Sequence, residues 1–147
     1  MSVPNNMETG VWLLMGLTGS TQGVLEMKDS MISFTAYGQG ALTNGQLEKL
    51  ATSLGDDSII RDLQNNKPVI LFNCPVQHVE QINFPWYTFG GGMNLKIKGV
   101  MFRFSLLQPQ NTVSGTSGKK MSQIAGNISE GRKLRQQWYD ALKEHIA

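Results

Sequence analysis

NISEGRKLRQQWYDALKEHIA, running from Asn127 to Ala147, is the stretch that decides the fold. Asn127 stands where an N-cap belongs, and Glu130 three residues on completes a capping-box-like pair. Leu134, Trp138, Ala141, Leu142 and His145 recur at helical spacing and fall on one face. Arg132, Lys133, Arg135, Asp140 and Lys143 fall mostly on the other. A helix with a tryptophan at the centre of its apolar face needs a surface to cover. Everything before it, apart from one helical insert, reads as short strands. The sequence therefore predicts a small sheet or barrel closed by a terminal helix, with Leu134, Trp138 and Leu142 as the structural residues of the plug.

Working back from the helix, the clearest strand signal is at residues 93–106. Met93, Leu95 and Ile97 alternate with Asn94, Lys96 and Lys98. After Gly99, Val100, Phe102, Phe104 and Leu106 alternate with Met101, Arg103 and Ser105. Strict alternation marks strands with one buried face, and Lys98-Gly99 sits where a tight hairpin turn is needed. Val11 to Gly16 is a continuous apolar run, which predicts a strand buried on both sides. Leu17 to Gly23 is dense in turn formers and reads as a loop. Val24–Lys28 and Met31–Tyr37 read as two strands joined tightly at Asp29-Ser30. Val69–Phe72, an irregular Val76–Phe84 broken off by Pro75, and Trp86–Phe89 complete a count of seven or eight strands.

The period changes in the middle of the chain. Thr43 and Gln46 have capping-box spacing, and Leu47, Leu50 and Leu54 share a helical face. Asp56–Asn65 reads as a second short helix with acids at its N-terminal end, as the helix dipole prefers. Residues 43–65 are thus expected to be a helical insert lying outside the barrel. Residues 1–8 are expected to be a disordered leader, and 108–126, rich in Gly, Ser, Thr, Asn and Gln, a mobile loop. A chain of 147 residues is expected to form one domain over 1–147 with a real core.

Composition narrows the functional classes. No apolar run approaches the roughly 18 residues that cross a bilayer. Cys74 is the single cysteine, so neither an internal disulfide nor a Cys-based zinc cluster is available. These features lead to an expected cytoplasmic location. His78 and His145 lack spaced His, Asp or Glu partners, so no metal, no cofactor and no catalytic residue is expected. Cys74 follows a buried apolar strand, where a thiol is usually inert. Gly16 to Thr21 lacks the Lys and spacing of a phosphate loop, and Gly90 to Gly92 lacks dinucleotide spacing. Trp86, Tyr87 and Phe89 beside Lys96, Lys98 and Arg103 have the composition of a single-strand platform, but cations alternating in register with apolar residues read better as the charged outside of a core.

The order of elements resembles the pleckstrin-homology-like barrel, including GRAM and bacterial PH-type domains. Two stretches carry the likeness: the closing helix with Trp138 and Ala141-Leu142, and VQHVEQINFPWYTFGGGMNLKIKGVMFRFSL from Val76 to Leu106. The resemblance implies two nearly orthogonal antiparallel sheets, seven strands in all, and a C-terminal capping helix on a mainly β domain; the two-helix insert departs from the minimal pattern. Phosphoinositide-binding members place several Lys or Arg around the first hairpin loop. The matching Leu17–Gly23 has none, and Lys28 is the only cation between Met1 and Leu47, so that ligand is not supported at its usual site.

Charge then points to a surface. The first ninety residues hold Lys28, Lys49, Arg61 and Lys67 against eight acids (Glu8, Glu26, Asp29, Glu48, Asp56, Asp57, Asp62 and Glu80). Residues 91–135 hold Lys96, Lys98, Arg103, Lys119, Lys120, Arg132, Lys133 and Arg135 against Glu130 alone. Such asymmetry reads either as a solvated surface that evens out once the chain folds or as a basic face for an anionic partner, and the second is the one with a functional expectation. The expected function is a non-enzymatic binding module that recruits a protein or peptide, or docks on an anionic surface. Among partners, acidic protein comes first, anionic lipid second and nucleic acid third. The competing class is a small enzyme or small-molecule carrier using the barrel interior, which a filled interior argues against.

Overall fold

The computed structural model describes residues 6–16, 19–84, 92–106 and 128–143, the side chains of 128–131 excepted. Seven strands and three helices follow one another: β1 (Met7–Met15), β2 (Gly19–Lys28), β3 (Met31–Ala36), α1 (Asn44–Leu54), α2 (Ser58–Gln64), β4 (Val69–Pro75), a 3-10 turn at Val76–His78, β5 (Val79–Asn83), β6 (Gly92–Ile97), β7 (Val100–Ser105) and α3 (Ile128–Leu142). The strands form one antiparallel sheet in the order β4-β3-β2-β1-β7-β6-β5, curled into a half-barrel. The fold is mainly β with a C-terminal helix and a two-helix insert.

The two sheets implied by the resemblance are continuous here because β1 has a partner on each side. Leu13 lies opposite Thr21 of β2 and also opposite Phe104 of β7. Val11, Trp12 and Leu13 are accordingly buried on both faces, as their unbroken apolar run predicts.

Five boundaries differ from expectation. Met7 and Glu8, placed in the leader, pair with Met27 and Glu26, and Met7 joins the core, so the strand begins there. The segment expected as a loop up to Gly23 is strand from Gly19 onward. Its turn-forming residues serve packing instead: Thr21 Oγ1 donates to the Gly38 carbonyl, and Gly23 lets the Phe34 ring approach where a side chain would stand. Tertiary fit overrides local propensity in this strand. β4 continues through Pro75 because it is an edge strand, where proline has no ladder hydrogen bond to lose. Val76–His78 is a 3-10 turn rather than strand, and α2 starts at Ser58, leaving Asp56 outside the helix. There the Asp56 carboxylate accepts from the Ser58 hydroxyl and backbone N–H, which hold its pKa below the ordinary value.

Both predicted tight turns have positive φ at both central residues, 53° and 65° at Asp29-Ser30 and 51° and 81° at Lys98-Gly99. This is the geometry that matches the twist of paired strands. In α1, Thr43 is the N-cap and its hydroxyl accepts from the Gln46 N–H, while Gln46 Oε1 accepts from the Thr43 N–H. The Gln46 amide also donates to the Met15 carbonyl at 3.0 Å, tying the insert to the end of β1. Gln46→Ala should therefore remove both a cap and a tether, with a loss of about 1–2 kcal/mol in urea denaturation; an unchanged midpoint would mean that water replaces both bonds.

The insert contributes to the core as well as lying over it. Leu47, Leu50 and Ala51 of α1, with Ile59 and Leu63 of α2, are buried in the same cluster as the strands. Phe34, Phe72, Phe102 and Phe104 pack as one aromatic group, with centroids 5.0 Å apart for Phe34 and Phe104 and 4.8 Å for Phe72 and Phe102. On α3, Leu134, Trp138, Ala141 and Leu142 are buried as their spacing predicts. Trp138 is fully buried and its Nε1 donates to Thr9 Oγ1 of β1 at 3.0 Å. The helix plugs the curled sheet through that residue. Asn127, His145, the 108–126 loop and Trp86–Phe89 lie outside the described residues.

Candidate binding face

The β6–β7 hairpin separates its residues by parity. Met93, Leu95, Ile97, Phe102 and Phe104 are buried, while Asn94, Lys96, Met101, Arg103 and Ser105 share the opposite face. Lys96 lies opposite Met101, and Arg103 opposite Asn94. Two of the predicted cations are thus brought onto one side of the sheet, and Lys98 stands at the hairpin tip. Met101 is 44% exposed between them, so the face is basic with an apolar spot.

Arg103 and the turn that carries Lys98 each have a defined support. Arg103 Nη1 donates to the Gly16 carbonyl at 3.3 Å, which steadies the guanidinium against the end of β1. Lys98 takes a left-handed backbone conformation, and the following Gly99 N–H donates to Glu80 Oε1 at 2.9 Å. Glu80 was not singled out by the sequence. It acts across two strands rather than along one, and no local pattern reports that.

The helix cations form a separate group. Arg132 and Lys133 are exposed, and Arg135 is half-buried with its guanidinium 4.6 Å above the Phe84 ring, just past β5. Burial lowers the Arg135 pKa, and the neighbouring Arg132 charge adds to the effect. Lys119 and Lys120 lie outside the described residues. Among the described residues the ion pair found is Lys143 with Asp140, and none of Lys96, Lys98, Arg103, Arg132, Lys133 or Arg135 meets a carboxylate at that distance.

Residues considered for chemistry are scattered. His78 is exposed at the end of the 3-10 turn. Cys74 is buried; burial pushes its thiol pKa up, and the Lys98 charge pulls it partly back. Among the described residues no group of three or more His, Cys, Asp or Glu is placed to hold a metal ion. No described helix is long and apolar enough to cross a membrane. What the hairpin face offers is a set of donors and positive charges on a rigid pair of strands, which suits recognition of an anion. Comparison with protein-family models, curated proteins and solved structures gives no match.

Proposed function

We propose that this chain is a non-enzymatic PH-like binding module whose β6–β7 hairpin docks on an acidic protein or peptide. The observation that carries this reading is the placement of Lys96 and Arg103 on one face, with Lys98 at the tip and no described carboxylate paired to any of them. Like charges on adjacent strands repel mildly, and the one described carboxylate at the hairpin tip, Glu80, is bonded to the Gly99 N–H instead of to a cation, which favours an external anion. The PH-like assignment draws on the strand order, the closing helix and the buried Trp138. Cytoplasmic residence fits a module of this kind. Phe34, Met93, Phe104 and Trp138 are fully buried among the described residues and occupy the interior, which favours a surface ligand over one inside the barrel.

The test compares wild type with a Lys96→Gln, Lys98→Gln, Arg103→Gln variant. The probes are a labelled hexaglutamate peptide, phosphatidylserine vesicles and a single-stranded oligonucleotide, each from low to high salt. Wild type should bind the acidic peptide best, the variant should bind about tenfold more weakly, and the difference should fade with salt, because screening acts over about 8 Å at physiological ionic strength. Equal binding by both proteins at every salt concentration would reduce the cluster to a solvated face. Tighter binding to vesicles or oligonucleotide would move the partner to lipid or nucleic acid.

A further inference from the structure

A cavity of about 280 Å³ lies at the seam between the edge strand β4 and the tip of the β6–β7 hairpin, roofed by the last turn of α1. Its apolar wall is made by Leu54, Leu71, Phe72, Ile97, Val100 and Phe102. The space is open to solvent on one side, a cleft between packed elements rather than a sealed void. Its wall is the edge of the core cluster, and it lies apart from the outer face that carries Lys96 and Arg103.

Volume limits the occupant. An engineered apolar cavity of about 150 Å³ accepts benzene. The cleft has room for one ring or a short branched chain against its apolar wall, with a polar arm at its open side. It sits near the lower end of the roughly 300–1,000 Å³ range of small-ligand sites.

The polar rim limits the chemistry. Ser53, Asn73 and Lys98 line the cavity and are all exposed, so the mouth is wet and the wall is dry. Lys98 supplies the charge. Its φ of 51° is a conformation that asparagine or glycine adopts more readily, and an Asn-Gly pair is what such a turn would choose for the backbone alone. A lysine is held there nonetheless, with the turn pinned by the bond from Gly99 to Glu80. Its positive charge is felt by the buried Cys74 thiol in the cavity wall. The α1 residues at the rim, Ser53 and Leu54, belong to the C-terminal end of that helix, where the dipole is negative. That helix end disfavours anions in general, so the single ammonium of Lys98 is the one positive group on this rim and matches at most a single negative charge.

We infer that this cavity binds a small amphipathic carboxylic acid, its apolar body against Phe72, Phe102 and their neighbours and its carboxylate at the Lys98 ammonium, with Asn73 and Ser53 as hydrogen-bonding groups. The site goes beyond the docking face and does not rest on it: it uses Lys98 alone of the three hairpin cations.

The experiment is calorimetric titration of the intact chain with 3-phenylpropionate, and with the neutral 3-phenylpropanamide as its isostere. Wild type should bind the acid at sub-millimolar to millimolar concentration, and the amide about tenfold more weakly, as loss of a charge-assisted hydrogen bond requires. Lys98→Gln should weaken the acid by a similar factor and leave the amide unchanged, while Lys98→Arg should restore most of the affinity. Ser53→Trp, a change at an exposed helix position on the rim, should abolish binding of both compounds, with circular dichroism confirming the fold. Lys96→Gln combined with Arg103→Gln, which removes charge from the docking face, should bind the acid like wild type. No heat from wild type up to 10 mM acid, equal affinity for acid and amide, or full affinity in Lys98→Gln would each overturn the assignment. Because the docking face is tested with hexaglutamate and this site with a small acid, either reading can fail while the other stands.

Discussion

Trp138→Ala should lower the stability of this protein by about 3–5 kcal/mol, the usual range for deleting a buried aromatic side chain. The residue is fully enclosed at the centre of the apolar face of α3, and its loss removes the largest contact between that helix and the sheet. A second term adds to the cavity. Trp138 Nε1 donates to Thr9 Oγ1, and Thr9 is itself completely buried on β1. Removing the indole takes away the donor that this buried hydroxyl accepts from, and losing one partner of a buried bond costs more than the bond itself contributed. If the alanine variant is too unstable to measure, Trp138→Phe keeps most of the volume and removes the donor. Paired with Thr9→Val in a double-mutant cycle, it should show a coupling of about 1 kcal/mol in urea denaturation. A Trp138→Ala protein that melts within a degree or two of wild type would refute the plug.

The second large effect is expected at Gly23. A Cβ built there would stand 2.3 Å from the Thr35 carbonyl oxygen and 2.5 Å from Phe34 Cζ. The ring sits in the aromatic group at the middle of the core, and the carbonyl belongs to the ladder in which Gly23 lies opposite Ala36. Neither can move alone. Gly23→Ala should destabilise by about 3 kcal/mol, the upper part of the overpacking range. Adding Phe34→Leu removes the ring but not the carbonyl, so rescue should be partial at most. Full rescue, or a neutral Gly23→Ala, would show that β2 and β3 are free to separate.

These two positions differ in how far local sequence foreshadows them. Trp138 stands in a long helical period with Leu134 and Leu142, and its role as the buried centre of a plug follows from spacing alone. Gly23 lies among turn formers, LTGSTQG, where local propensity argues for a loop. The opposing signal, close approach of a phenylalanine eleven residues later, exists only after β2 and β3 are paired. The same contrast runs through the functional surface. Alternation places Lys96 and Arg103 away from Leu95 and Phe102 without any structure. Lys98 was legible as a turn residue but not as a wall of the cavity, because a void is a property of three packed elements and leaves no mark on any one of them. Glu80, which fixes the hairpin tip, was silent for the same reason. The helix cations were legible as a basic run, whereas the stacking of Arg135 on Phe84 was not.

The shared position of β1 has a consequence for how the molecule is made. Translation delivers β1, β2 and β3 early, and they can pair as a local meander while the rest is still being synthesised. The second edge of β1 has no partner until Ser105 has emerged to meet Trp12, and the Thr9 hydroxyl waits for a tryptophan 129 residues downstream. At about 5–20 residues per second this interval is on the order of ten seconds, during which a partly apolar strand edge is unpaired on the ribosome. Fragments that stop short of α3 should therefore aggregate more readily than a chain that carries it, because the half-barrel is closed only when that helix arrives.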